Sequence, residues 1–158
     1  MLVLGNPNMA AHEEIRTALR GHGLRVTPQR LAVFGALRDL GRHATAEEVL
    51  ARVAPRLPNA SLPTVYAALE LFEELDIAHR VAAGSATALW DPRPERHHHL
   101  ICRSCRAVED LDVRIDAGTA LRAARRRGFR PEGSELIVSG LCERCQTARH
   151  GPHASQPR

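Results

Sequence analysis

Through the first half of the chain apolar residues recur at helical spacing, in short blocks with marked starts and stops. HEEIRTALR, residues 12–20, reads as one helix, ended by GHG. Thr27 then stands as an N-cap with Pro28 at the first helical position, and Leu31, Phe34, Leu37 and Leu40 follow on one face. Thr45 opens a third helix, Glu48 completes a capping box, and Val49, Leu50 and Val53 form its apolar side until APRLPN breaks it. Ser61 is expected to cap a fourth helix reaching Leu75, with Val65, Leu69 and Phe72 buried. Beyond Asp76 the period changes from helical to alternating. IAHRVAA and TALWD, joined by GSA, predict a β-hairpin.

Helices followed by a hairpin give the order of a winged helix-turn-helix, which would present the Ser61 helix to the DNA major groove. DPRPER then reads as a linker, because its prolines block regular structure. Past it, HHHLIC and AVEDLDV predict strands around a Cys-x-x-Cys turn. DAGTALRAARRRG predicts a helix ended by Gly128, and SELIVSGLC a further strand. The fold class is α+β, a winged-helix domain followed by a small α/β domain. The expected boundaries are 1–84 for the first domain, 85–96 for the hinge, 97–146 for the second domain and 147–158 for a disordered tail. The tail carries His150 and His153, which are given no role.

Composition narrows this picture. The 158 residues are 44% apolar but only 3% aromatic, so the core must come from Leu, Val, Ala and Ile. No apolar run reaches membrane-spanning length and no signal-peptide pattern opens the chain, so a cytoplasmic protein is expected. In a reducing compartment four cysteines point to metal rather than disulfides. The net charge of +4 does not by itself announce a nucleic-acid binder. Arg16, Arg20, Arg25, Arg30 and Arg38 face only Glu13 and Glu14 before residue 39, which allows either a basic binding face or an ordinary solvated surface.

The chemistry concentrates in ERHHHLICRSCRAVEDLD, residues 95–112. Cys102 and Cys105 form one Cys-x-x-Cys; Cys142 and Cys145 form another after 36 intervening residues. Two such pairs supply the four thiolates of a structural zinc site, the alternatives being buried thiols or a redox pair. On a strand, His97 and His99 face one side and His98 the other. Two imidazoles with Asp91, Glu109 and Asp110 close in sequence could hold Zn, Fe, Mn or Ni. A histidine run also occurs at exposed strand ends without any metal.

GLRVTPQR, NASLPTVYAALELFEE, HHHLICRSC and GLCERC, in this order, resemble the ferric uptake regulator superfamily of metal-dependent repressors, over roughly residues 12–146. The resemblance implies a homodimer with an N-terminal winged helix and a C-terminal α/β dimerisation domain. It also implies Zn²⁺ on the four cysteines and a second, exchangeable metal, Fe²⁺ or Mn²⁺, that switches DNA binding. By position its ligands are His43, Asp91, His97, His99 and Asp110. Without the resemblance His43 is a plain loop histidine. Ser61, Thr64 and Tyr66 are the expected base-reading residues, with Arg16, Arg20, Arg25 and Arg80 on the phosphates. The partner is a double-stranded operator, an AT-rich inverted repeat. Two departures stand out: Arg106 replaces the glycine usual after the second cysteine, and Ala67 replaces a residue often polar. PEGSELIVSG lacks the histidine that some relatives use for a third metal, so that site is not expected.

Asp at both carboxylate positions resembles the peroxide-responsive branch. There, Fe²⁺ and H₂O₂ lead to oxidation of a ligand histidine, His43 or His97 by position, and control catalase-type defence genes. The alternative is an iron- or zinc-uptake regulator responding to metal level alone. A zinc hydrolase is not expected, since His-Glu-x-x-His does not occur and His12-Glu13-Glu14 lacks the Pro-Cys-x-x-Cys that completes the deaminase pattern. A zinc-stabilised interaction module without switching is the remaining class.

Overall fold

The computed structural model describes residues 7–81 and 88–149. The chain divides into two units, Met1–Glu95 and Arg96–Arg158. Among the described residues no helix is long and apolar enough to cross a membrane.

The first unit contains α1 (Pro7–Gly21), α2 (Pro28–Leu40), α3 (Ala46–Val53) and α4 (Leu62–Glu74), then β1 (His79–Val81) and β2 (Leu89–Asp91). Local chemistry sets the helix starts. The Thr27 hydroxyl accepts from the Arg30 amide at 3.3 Å, and Pro28 follows without an amide to satisfy. At α3 the capping box is complete. Thr45 Oγ1 accepts from the Glu48 N–H at 3.2 Å, and Glu48 Oε2 accepts from the Thr45 N–H at 2.9 Å. Ser61 departs from expectation. It holds the extended backbone of an N-cap, but its hydroxyl bonds Thr64 Oγ1 at 2.9 Å and caps no amide.

The helices close over Ile15, Leu19, Phe34, Leu37, Val49, Val53, Val65, Leu69 and Phe72, all essentially without solvent contact. Phe34 and Phe72 meet edge to face, with ring centroids 5.2 Å apart. Trp90 of β2 is buried in the same cluster. β1 and β2 pair antiparallel, with His79 opposite Asp91 and Arg80 opposite Trp90. Leu89–Asp91 is thus the second strand of the hairpin expected from TALWD, and the expected hinge of 85–96 begins inside that hairpin. Its alternating run needs a cross-strand partner more than the neighbouring prolines forbid one. The GSA turn lies outside the described residues.

The second unit contains β3 (His98–Cys102), β4 (Val108–Leu111), α5 (Gly118–Arg126), β5 (Ile137–Gly140) and α6 (Glu143–Arg149). Its sheet order is β4-β3-β5, with β4 antiparallel and β5 parallel to the central β3. Gly128, at φ 83°, takes the left-handed turn that ends α5. α6 runs through residues 147–149, where the sequence suggested the start of a disordered tail. Residues 150–158, including His150 and His153, lie outside the described residues. Little of this unit is buried. Val113, Ile115, Phe129, Leu136 and Val138 are exposed, Phe129 by 71%.

Candidate metal centres and nucleic-acid interface

Pairing along β3 assembles the cysteines. Cys102 ends β3 opposite Gly140 of β5, which brings it beside Cys142 two residues on. Cys105 lies in the turn to β4, closed by the Cys102 N–H on the Ala107 carbonyl at 2.9 Å and the Arg106 N–H on the Cys102 carbonyl at 3.0 Å. Arg106 adopts φ 64°, a left-handed conformation that suits glycine and strains a residue with a Cβ by about 1–2 kcal/mol. Cys145 sits on α6, its N–H donating to the Cys142 carbonyl at 2.9 Å.

The four sulfurs lie within 4.8 Å of one another, and Cys105 Sγ is 3.7 Å from Cys142 Sγ. A disulfide would need about 2.05 Å. Zn–S bonds of about 2.3 Å set the edge of a tetrahedron at about 3.8 Å, so the spacing fits zinc. The Cys142 N–H donates to Cys102 Sγ at 3.4 Å. That amide first, with those of Cys105 and Ser104, draws the Cys102 thiol down to about 5. The Cys145 amide favours a thiolate at Cys142 too, but the Cys145 thiol, desolvation and the remaining sulfurs outweigh it and push Cys142 up to about 11. The Arg144 guanidinium hydrogen-bonds Cys105 and offsets the charge gathered there, which raises its own pKa.

The histidines and aspartates form two groups, one in each unit. In the first, the Ala44 and Trp90 backbones exchange two hydrogen bonds of 2.8 and 3.0 Å. This isolated antiparallel bridge sets the residue before Ala44 beside the one after Trp90. His43 Nε2 accordingly lies 3.5 Å from Asp91 Oδ2, with the Asp91 side chain only 2% exposed. The Arg93 N–H donates to Asp91 Oδ1 at 2.8 Å, which fixes the carboxylate and turns its other oxygen toward His43.

In the second unit His97 Nε2 lies 3.2 Å from Asp110 Oδ1. The His97 and His99 rings are 4.5 Å apart between centroids, while β3 places His99 opposite Asp110. The His97 and His99 rings thus share one side, and His98 is engaged elsewhere, its Nδ1 accepting from the Leu136 N–H at 3.1 Å. Spacings of 3.0–3.5 Å between donor atoms match neighbouring ligands on a metal with bonds of about 2.1 Å. Each group, imidazole with hard oxygen and no thiolate, therefore fits a first-row divalent ion.

Glu135 was not singled out by the sequence, yet its Oε1 lies 2.7 Å from His99 Nδ1. Nothing local in PEGSELIVSG marks it, because the contact depends on the parallel pairing of β5 with β3.

The residues expected at DNA fall into two sets. Arg25 and Thr64 line one open groove between the start of α2 and α4, together with Gln29 and Arg30. Arg30 donates through Nη1 to the Arg25 carbonyl at 2.6 Å. Ser61 joins this group through Thr64. Tyr66 is half-buried against the core, and Arg16, Arg20 and Arg80 are at least partly exposed but do not line the groove. Glu70, Glu73 and Glu74 are exposed further along α4.

The ferric uptake regulator family model matches residues 21–139. The chain is 31% identical over 135 residues to the peroxide-responsive repressor PerR of Staphylococcus saprophyticus, covering 85% of this chain and 90% of that one. Its fold is similar to that of the Helicobacter pylori ferric uptake regulator, with a TM-score of 0.70 at 20% identity over 92% of this chain and 97% of that chain. It is also similar to the Pseudomonas aeruginosa ferric uptake regulator solved with manganese, with a TM-score of 0.62 at 26% identity over 85% and 99%.

Proposed function

Since the chain belongs to the ferric uptake regulator family of metal-dependent transcription regulators, we propose that it is a dimeric repressor that senses hydrogen peroxide. Zinc is held by Cys102, Cys105, Cys142 and Cys145. A second ion, Fe²⁺ or Mn²⁺, takes His43 and Asp91 from the first unit and His97, His99 and Asp110 from the second. Holding ligands from both units, it favours one arrangement of the DNA-reading surfaces, and that differential affinity makes it a co-repressor. Ser61, Thr64 and Tyr66 read bases of an AT-rich inverted repeat, while Arg16, Arg20, Arg25 and Arg80 hold phosphates.

The observation that carries the peroxide reading is an aspartate at both carboxylate positions, 91 and 110. They stand in a chain 31% identical to a peroxide-responsive repressor. Fe²⁺ held there would mediate the O–O cleavage of H₂O₂, with the ligand histidine giving up the two electrons that the peroxide takes. His43 or His97 gains one oxygen atom and water leaves. The oxidised imidazole is a poorer ligand, the grip on both units is lost, and the operator is released. The controlled genes are then of the catalase type. Zinc keeps the cysteines occupied, so they take no part.

Mass spectrometry of Fe²⁺-loaded protein after a brief, low dose of peroxide tests this. One added oxygen on a peptide containing His43 or His97, with loss of operator binding, is expected. Mn²⁺-loaded protein should keep its DNA. Intact histidines and retained DNA in the Fe²⁺ sample would leave a regulator of iron or zinc uptake that responds to metal level alone.

A further inference from the structure

Glu135 owes its place to backbone pairing rather than to its own exposed side chain. The His99 N–H donates to the Leu136 carbonyl at 3.0 Å, and the Leu136 N–H donates to His98 Nδ1 at 3.1 Å. Residue 136 is thus tied on both sides to the histidine run, and the residue before it is brought over the buried His99 ring. The Oε1–Nδ1 distance of 2.7 Å is that of a charge-assisted hydrogen bond. The His99 side chain is 4% exposed, against 42% for Glu135. The carboxylate reaches in from solvent to a ring that cannot turn toward water. An imidazole that gives its Nδ1 proton to a carboxylate keeps the lone pair on Nε2.

We propose that Glu135 is a positioning residue for the second metal. It fixes His99 in the tautomer and ring orientation that ligate through Nε2, and it increases the electron donation of that nitrogen. This rests on the reading that His99 is a ligand. A carboxylate behind a ligating histidine typically changes metal affinity by about 10–100-fold. The sequence offers a second carboxylate, Glu132, in the same segment, but no bond joins it to the histidines among the described residues.

The test uses full-length wild type, Glu135→Gln and Glu135→Ala, each checked for cysteine-bound zinc and unchanged oligomeric state. Nitrogen-15 NMR of the zinc-loaded protein, before any second metal is added, reads the His99 tautomer. Mn²⁺ titration followed by electron paramagnetic resonance reads affinity, and the Co²⁺ visible spectrum reads ligand geometry. Wild type should show His99 protonated on Nδ1. Glu135→Ala should bind Mn²⁺ about 10–100-fold more weakly, with an altered Co²⁺ spectrum. Glu135→Gln, which still accepts the proton, should keep the tautomer and lie between. Should Glu135→Ala lose zinc, the Gln variant carries the comparison.

A wild-type His99 protonated on Nε2 overturns the proposal. So does Glu135→Ala that binds Mn²⁺ within about twofold of wild type with the same Co²⁺ spectrum. His99→Ala separates the two ideas. If it binds Mn²⁺ as tightly as wild type, the ligand assignment itself fails, whatever Glu135 does.

Discussion

Removing zinc from the four-cysteine site is expected to unfold the second unit while the first stays folded. Among the described residues of the second unit, only His99, Ile101 and Cys102 are buried. Full burial of one isoleucine contributes about 1.5–3 kcal/mol. A structural zinc contributes about 10–16 kcal/mol of apparent binding energy near pH 7. That is as large as the whole stability of a typical domain, about 5–15 kcal/mol. Within one copy of this unit the ion therefore stabilises the fold far more than apolar burial does. The first unit, with its continuous cluster from Ala11 to Trp90, does not depend on it. The perturbation is Cys142→Ser in the presence of a chelator, which removes the sulfur 3.7 Å from Cys105. Amide hydrogen exchange read peptide by peptide is the assay. Peptides covering β3 and β5 should exchange as an unfolded chain does, while those of α2 and α4 should not change. The reasoning is refuted if β3 and β5 in the zinc-free variant stay as protected as in wild type.

Three further outcomes concern the first unit. Tyr66→Ala should narrow the difference in affinity between operator and random sequence, whereas Arg25→Ala should weaken both about equally and flatten the salt dependence, as fluorescence anisotropy at several salt concentrations will show. Thr45→Ala should destabilise the start of α3 by about 1 kcal/mol. The Glu48 carboxyl is held below its ordinary range, first by the Arg42 guanidinium and then by the Thr45 amide, against the opposing pull of burial. Its contribution is present above the unfolded carboxyl value of about 4.3 and is lost as pH falls through the lowered folded value. Protection of the Thr45 amide, which donates to Glu48 Oε2, should fall over that acidic window in wild type and not in Glu48→Gln.

What was legible in the sequence was local. Thr27 and Thr45 cap because the groups they satisfy lie three residues away, and the pairs of cysteines declare themselves by spacing. Ser61 misled, because Thr64 offers its hydroxyl a nearer partner than the helix amides do. The pairing of Leu89–Asp91 with β1 was visible as two alternating runs, but the bridge to Ala44, far off in sequence, was not. α6 went unseen because seven residues show no apolar stripe, only Cys145 turned toward the other three cysteines. The glycine-like conformation at Arg106 can be stated only once the Cys102–Cys105 turn is built. Glu135 needs the whole β3–β5 register. His43 could be nominated only by resemblance, since nothing in GRHATAEE sets it apart from an ordinary loop histidine.

The bridge between Ala44 and Trp90 has a consequence for how an ion is held. A histidine on a slack loop would have to be immobilised when metal arrives, and its ordering would subtract from the affinity. Here two backbone hydrogen bonds hold His43 and Asp91 side by side beforehand, as a chelating agent holds its donor atoms on a rigid frame. With both as ligands, as proposed, the second bond to the ion would form at a high effective concentration, with little further loss of freedom. The same frame is the wing. On the proposed function, DNA held at β1 and β2 would act on the same frame as His43 and Asp91, and linkage is reciprocal. A repressor seated on its operator should release its metal more reluctantly than one adrift in solution.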